Sequence, residues 1–201
     1  MYSEKILRIL DYESEAIKKI PITQEYDKAI ELIYQRVHKL NGKLVASGMG
    51  KAGQIALNIA TTLSSTGTPS VFLHPADAQH GDLGILQKND ILLLISNSGK
   101  TNEIVKLLEL STNLVGNLPK IVISGNTESV LAKNADVFLY TGNPKEVCPL
   151  GLSPTTSTTV MTVIGDIIVS LMIEKINFTV EDYAKRHHSG YLGQKSREMS
   201  K

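Results

Sequence analysis

The chain has 201 residues, 42% of them apolar and 20% charged, a balance that suits one globular domain with a substantial core. A net charge of +1 with no basic block gives no electrostatic reason to expect nucleic acid or a membrane surface as partner. The single cysteine, Cys148, excludes an internal disulfide and argues against a thiolate metal cluster. The start Met1-Tyr2-Ser3-Glu4-Lys5 lacks a signal-peptide core and no uninterrupted apolar run reaches membrane-spanning length, so the cytoplasm is expected.

Ile6, Leu7, Leu10, Ile17 and Ile20 recur at helical spacing over 2–20, and Pro21 ends that helix. Thr23 is the expected N-cap of a second helix, with Tyr26, Ile30, Ile33, Tyr34 and Val37 on its buried side. These two helices can pack on the sheet or on another subunit. A strand at 44–46 runs into Ser47-Gly48-Met49-Gly50-Lys51-Ala52-Gly53, followed by a helix over 54–64 and a strand over 70–73 that ends at His74. The loop 76–84 is polar, carries His80 and is expected to be partly helical.

Five apolar residues, 91–95, then read as a strand buried on both faces. The run stops at Ser96-Asn97-Ser98-Gly99-Lys100-Thr101, and a helix opens with Ile104, Leu107, Leu108 and Leu110 on one side. Strands at 120–124 and 137–140 flank a short helix over 126–134. A long helix over about 155–175 begins with five threonines and serines, poor helix formers that something besides propensity must keep there. Thr179 caps a short helix to about 185, and the charged tail 194–201 is expected to be frayed. Strand and helix alternate, which predicts a three-layer α/β/α sandwich around a flavodoxin-like, five-stranded parallel sheet of order 2-1-3-4-5. The site then lies beyond the carboxyl ends of the strands.

A strand that ends in hydroxyls and a glycine and then opens a helix is suited to an anion, because the free N–H groups and the dipole of the first turn favour negative charge. Ser96, Ser98 and Thr101 add hydroxyl donors, which marks a phosphate site; helix capping by Ser98 or Thr101 accounts for one hydroxyl but not three. The turn 48–53 has neither Rossmann nor Walker spacing, so a dinucleotide is not expected. Gly48 and Gly50 would let backbone approach a ligand, and Lys51 would project over it. Glu103 is either a carboxylate favoured by the helix dipole or a base near the sugar carbons. Glu146 is a second carboxylate at the same edge. His74 and His80 flank a loop there with no zinc-motif spacing, so contact with the ligand is preferred over a metal. Adjacent His187 and His188 point differently, so at most one serves the site, and a solvated tail accounts for them equally well.

Together these stretches resemble the sugar isomerase (SIS) domain family and, within it, the D-arabinose 5-phosphate isomerases. The segment 96–101 is similar to the Ser-x-Ser-Gly-x-Thr phosphate loop of SIS domains generally. The stretches 48–53, 65–69, 74–84, 148–149 and 153–158, with His187-x-x-Gly190-x-Leu192-Gly193, are similar to the arabinose-phosphate subgroup. The resemblance implies one SIS domain over 1–193, with N-terminal helices in 1–40 and the sheet, helices and C-terminal segment in 43–193. It implies a catalytic set of Lys51, Glu103, Glu146 and His187, the histidine supplied by a neighbouring subunit of a homotetramer. Substrate contacts would come from Ser47, Gly48, Gly50, Gly67, Thr68, His80, Ser96, Asn97, Ser98, Gly99 and Thr101, and His74 resembles a position that can hold an inhibitory zinc.

The implied reaction interconverts D-ribulose 5-phosphate and D-arabinose 5-phosphate through an enediol without a cofactor, supplying Kdo for lipopolysaccharide or capsule. Ala52 and His188-Ser189 depart from the subgroup's usual Ser and Pro-Ala. The chain also resembles a short form without the paired CBS domains. With those absent, no second ligand pocket is expected, and regulation would come from a downstream metabolite competing at the site. Alternatives are another SIS isomerase, for hexulose 6-phosphate or heptulose 7-phosphate, and a non-enzymatic phosphosugar sensor. Sensors of that kind usually carry a DNA-binding module, and no basic helix-turn-helix precedes the SIS-like region here.

Overall fold

The computed structural model describes residues 2–199. Its strands are β1 (Leu44–Gly48), β2 (Ser70–Phe72), β3 (Ile91–Ile95), β4 (Lys120–Ser124) and β5 (Val137–Tyr140). They form one parallel sheet in the order β2-β1-β3-β4-β5, as the alternating pattern predicts. Helices in chain order are α1 (Ser3–Lys18), α2 (Glu25–Ile33), α3 (Gly50–Ser65), α4 (Asn102–Val115), α5 (Val130–Lys133), α6 (Thr156–Lys175), α7 (Val180–Ala184) and α8 (Gly190–Met199).

Successive strand side chains point to opposite faces, and both faces are covered, so every residue of β1, β3 and β4 is buried. Leu44, Ala46, Leu93 and Ile95 pack with α2, α3 and α6 on one side. Val45, Leu92, Leu94 and Val122 pack with α4, α5 and the 3₁₀ turns Asp77–His80 and Asp82–Ile85 on the other. Helix α6 is long and apolar enough to cross a membrane by length and composition, a property the run-by-run reading missed because Thr, Ser and Gly interrupt its apolar residues. In the fold Ile164, Ile168 and Met172 of α6 lie in the core.

The amphipathic stripe of α1 is only half used. Ala16, Ile17 and Ile20 join the core, whereas Ile6, Leu7 and Leu10 are 54%, 60% and 59% exposed. Helix α2 starts at Glu25 rather than directly after Thr23; the Thr23 hydroxyl still accepts the Glu25 N–H at 3.3 Å. Helix α3 starts at Gly50, four residues earlier than its apolar period suggests. Helix α5 is shorter than expected because 126–129 fold into a turn closed by Ser129, which then caps α5 by accepting the Ala132 N–H. The tail does not fray at 194: α8 continues to Met199 with Gly193 and Ser196 buried, while Ser200 and Lys201 lie outside the described residues.

Candidate active site

A cleft of about 1050 Å³ opens at the carboxyl edge of the sheet. Its walls come from the segments that follow β1, β3, β4 and β5 and from the first turns of α6, the place where an open parallel sheet leaves a crevice. The wall after β3 is the loop 96–101. The Ser96 and Thr101 hydroxyls lie 2.9 Å apart in a mutual hydrogen bond, and Ser96 Oγ also accepts the Gly99 N–H at 3.1 Å. Ser98 Oγ accepts the Lys100 N–H at 3.2 Å. Thr101 is the N-cap residue of α4, yet its side chain makes no cap bond among the described residues. The first turn of α4 is therefore without a side-chain cap, an arrangement that suits an anion.

The loop is held from behind. Gly125 N–H and Ser124 Oγ both donate to Asn97 O, at 3.1 and 3.2 Å, and Asn126 Nδ2 donates to Ser98 O at 3.1 Å. Gly99 has φ +62°, and a Cβ there would lie 2.1 Å from Ser129 Oγ, so only glycine fits. Asn97 Oδ1 is buried without a hydrogen-bond partner among the described residues, a cost expected at a binding site rather than in a packed wall.

Lys51, in the first turn of α3, and Glu146, after β5, also line the cleft. Glu146 Oε2 accepts from the N–H and hydroxyl of Thr155, at 2.7 and 2.8 Å, and from the Ser157 N–H at 3.3 Å. Burial alone would raise the Glu146 carboxyl, but hydrogen bonds from Ser157 and Thr155 outweigh it and hold the group below its ordinary value, as a carboxylate. The threonine-rich start of α6 is thereby explained, since its donors hold this carboxylate and Ser157 and Thr158 face the cleft.

With a helix start, a lysine and an ionised glutamate lining one cleft on a 2-1-3-4-5 sheet, the chain also matches, over residues 39–171, the family model of the SIS domain. The chain belongs to the SIS domain family. Among the relatives of this SIS chain, arabinose 5-phosphate isomerase KdsD of Pseudomonas aeruginosa is 44% identical over 190 residues. That match covers 94% of the chain and 56% of the relative, so the chain spans about half the length of the curated relatives it matches. A candidate phosphosugar isomerase involved in capsule formation from Bacteroides fragilis is 62% identical, with a TM-score of 0.93 over 95% of this chain and 100% of that one. An Escherichia coli CFT073 protein solved in complex with arabinose 5-phosphate is 34% identical, with a TM-score of 0.85 over 92% of this chain and 96% of that one.

Several expected site residues of the SIS chain lie away from the cleft. Ser47 is fully buried and donates to Leu73 O at 2.7 Å, tying β1 to β2. A Cβ on Gly48 would lie 2.6 Å from Ala52 O, so this glycine admits the backbone of α3, and it does not line the cleft. Gly50, at φ +58°, turns the chain into α3 and does not line the cleft. Gly67 and Thr68 precede β2 at the opposite, amino edge, where Thr68 Oγ1 meets His38 Nε2 at 3.2 Å and the Phe178 ring occupies the space beside Gly67. Glu103 is half-buried in the first turn of α4, outside the cleft lining.

His80 is exposed on a 3₁₀ turn. His187 also lies outside the cleft: its ring stacks on Tyr183 at 3.6 Å, and Nδ1–H donates to Tyr183 O at 3.0 Å, which leaves Nε2 as the basic nitrogen. His74 follows β2, with Nδ1 3.6 Å from Asp77 Oδ2; among the described residues no three His, Cys, Asp or Glu side chains gather as a metal site. Residues that sequence reasoning missed include Asn126, Thr127, Asn143 and Lys145, which follow β4 and β5 into the cleft. Their place directly after a strand's carboxyl end was the available signal. A second cavity, of about 990 Å³, lies between α1 and 141–149 and shares Pro144, Lys145 and Glu146 with the cleft.

Proposed function

We propose that the chain is an aldose–ketose isomerase that interconverts D-ribulose 5-phosphate and D-arabinose 5-phosphate. The observation that carries this reading is the uncapped start of α4 behind Ser96, Ser98 and Thr101, facing Lys51 and Glu146 across one cleft. The names of the relatives supply the substrate. The phosphate docks on the loop 96–101, and that binding energy positions the reacting carbons. A proton leaves C1 of the ketose and returns to C2 of the aldose, while a second proton moves between the two oxygens through an enediol. Glu103 or Nε2 of His187 shuttles the carbon-bound proton, and the other assists transfer between the oxygens; for Glu103, outside the cleft lining of this chain, the role requires its carboxylate to turn from the first turn of α4 toward the bound sugar. Lys51 stabilises the enediolate charge. Glu146, kept ionised, orients the histidine or a substrate hydroxyl.

Because His187 and His80 lie outside the cleft of their own chain, this reading has them delivered by neighbouring subunits of a homotetramer, and the exposed apolar half of α1 is available for such contacts. The product feeds Kdo synthesis for lipopolysaccharide or capsule in the cytoplasm, and a downstream metabolite competes at the same cleft. Assay of pentose, hexose and heptose phosphates for isomer formation tests the substrate, with conversion of ribulose 5-phosphate expected. Preference for a hexulose or heptulose phosphate, or binding without turnover, overturns it. A pentose phosphate soaked into crystals with its phosphoryl group away from 96–101 overturns the binding mode.

A further inference from the structure

Glu13 lies on α1, outside the cleft lining, and nothing in its local sequence marks it as functional. Its Oε1 accepts the hydroxyl hydrogen of Thr156 at 2.8 Å, a contact between residues 143 positions apart. Thr156 is fully buried and opens α6. The same hydroxyl oxygen accepts the N–H of Val147 at 3.2 Å. A hydroxyl has one hydrogen and two lone pairs. With the hydrogen given to Glu13, a lone pair is free to face Val147, so the carboxylate on α1 decides how the Thr156 hydroxyl is used.

Val147 directly follows Glu146, whose Oε2 is held by Thr155 and Ser157 on either side of Thr156. The first turn of α6 therefore grips the Glu146 side chain and the next peptide N–H together. Glu13 Oε2 is buried without a hydrogen-bond partner among the described residues. An apolar residue there would remove that cost, and keeping the carboxylate is reasonable only if the bond to Thr156 is worth more. The positive end of α6 offsets part of the penalty.

We propose that Glu13 is a positioning residue for Glu146: through the Thr156 hydroxyl it fixes the 146–147 backbone, so that the Glu146 carboxylate is presented to the cleft. The proposal rests on the reading that Glu146 serves an isomerase site. It makes α1 part of the active-site support, although α1 touches no substrate.

Steady-state isomerisation of ribulose 5-phosphate by the full chain tests it, using Glu13→Ala, Glu13→Gln and Glu146→Gln singly and Glu13→Ala with Glu146→Gln. Glu13→Ala should lower kcat about tenfold and leave KM within about twofold, the signature of a misplaced catalytic group. Glu13→Gln, whose amide oxygen still accepts from Thr156, should restore most of the rate. In the Glu146→Gln background Glu13→Ala should have no further effect. If Glu13→Ala does not fold, Thr156→Val should give the same kcat loss and Thr156→Ser should rescue it. A Glu13→Ala enzyme with wild-type kcat beside a crippled Glu146→Gln overturns this inference alone, as does an equal loss in both backgrounds. A fully active Glu146→Gln removes the role given to Glu146 and this inference with it, while an inactive wild type overturns the functional reading itself.

Discussion

The two edges of the sheet use polar residues in opposite ways. At the amino edge buried polar groups are paired inward: Asp90, fully buried, accepts from Lys43 Nζ at 2.7 Å, Lys43 N at 3.0 Å and Gln87 N at 2.8 Å. Buried Lys120 donates to Asn117 Oδ1 and Leu118 O at 2.7 and 2.8 Å. At the carboxyl edge Asn97 Oδ1 is left unpaired among the described residues, the start of α4 has no side-chain cap, and Lys51 is exposed at the cleft. Satisfied polar groups hold strands in register, whereas groups left open are available to a ligand. The difference separates scaffold from site within one layer of strands.

The contrast breaks most sharply if Lys51 is replaced. Lys51→Met should reduce kcat/KM roughly 10²–10³-fold, the scale of removing one oxyanion donor, with an unchanged thermal midpoint because the residue is exposed. Asp90→Ala should do the reverse. Loss of one partner from this buried pair should cost about 3 kcal/mol and lower the thermal midpoint by roughly 6–12 °C, with KM unchanged. Gly99→Ala forces a Cβ against Ser129 and strains a left-handed residue, so KM for the phosphosugar should rise about tenfold while kcat changes less.

Two smaller effects sharpen the carboxyl edge through pH. The Cys148 thiol, two residues after Glu146, is lowered to about 7 by hydrogen bonds from the Ser153 side chain and from the backbone of Ser153, Leu150 and Leu152. Alkylation followed by mass spectrometry should therefore accelerate through about pH 7, and Ser153→Ala should move that midpoint upward. Glu146 is held below its ordinary value of 4.5, so its stabilising contribution is complete above that pH and is lost as pH falls through the lowered folded value. The difference in thermal midpoint between wild type and Glu146→Gln should close on acidification through that window, measured by thermal scans.

Much of the scaffold is legible in the sequence because its signals are local. The run 91–95 has no polar residue and so must be covered on both sides, and it forms the centre of the sheet. The loop 96–101 is legible for the same reason, since the end of a buried strand and the first turn of a helix lie in one short stretch. Gly48 is ambiguous in sequence because a glycine states only that something comes close; in the fold the Ala52 carbonyl of α3 does. Gly67 and Thr68 group with the site by motif, yet they sit before β2 rather than after it, which puts them at the far edge of this chain. The residues after β4 and β5 escape a sequence reading because they form no compact motif and meet the 96–101 loop only when three strands end side by side.

The sequence by itself determined the alternation of elements, the strand order and the position of the helix start that follows β3, because burial periodicity and turn chemistry are written in neighbouring residues. The tertiary structure alone decided how the carboxylates are held. Glu146 becomes a held anion only against the first turn of α6, and Glu13 reaches that turn from the other end of the chain. Hydrogen-bond partners at a sheet edge come from segments remote in sequence, and their pairing is set by packing rather than by any local pattern.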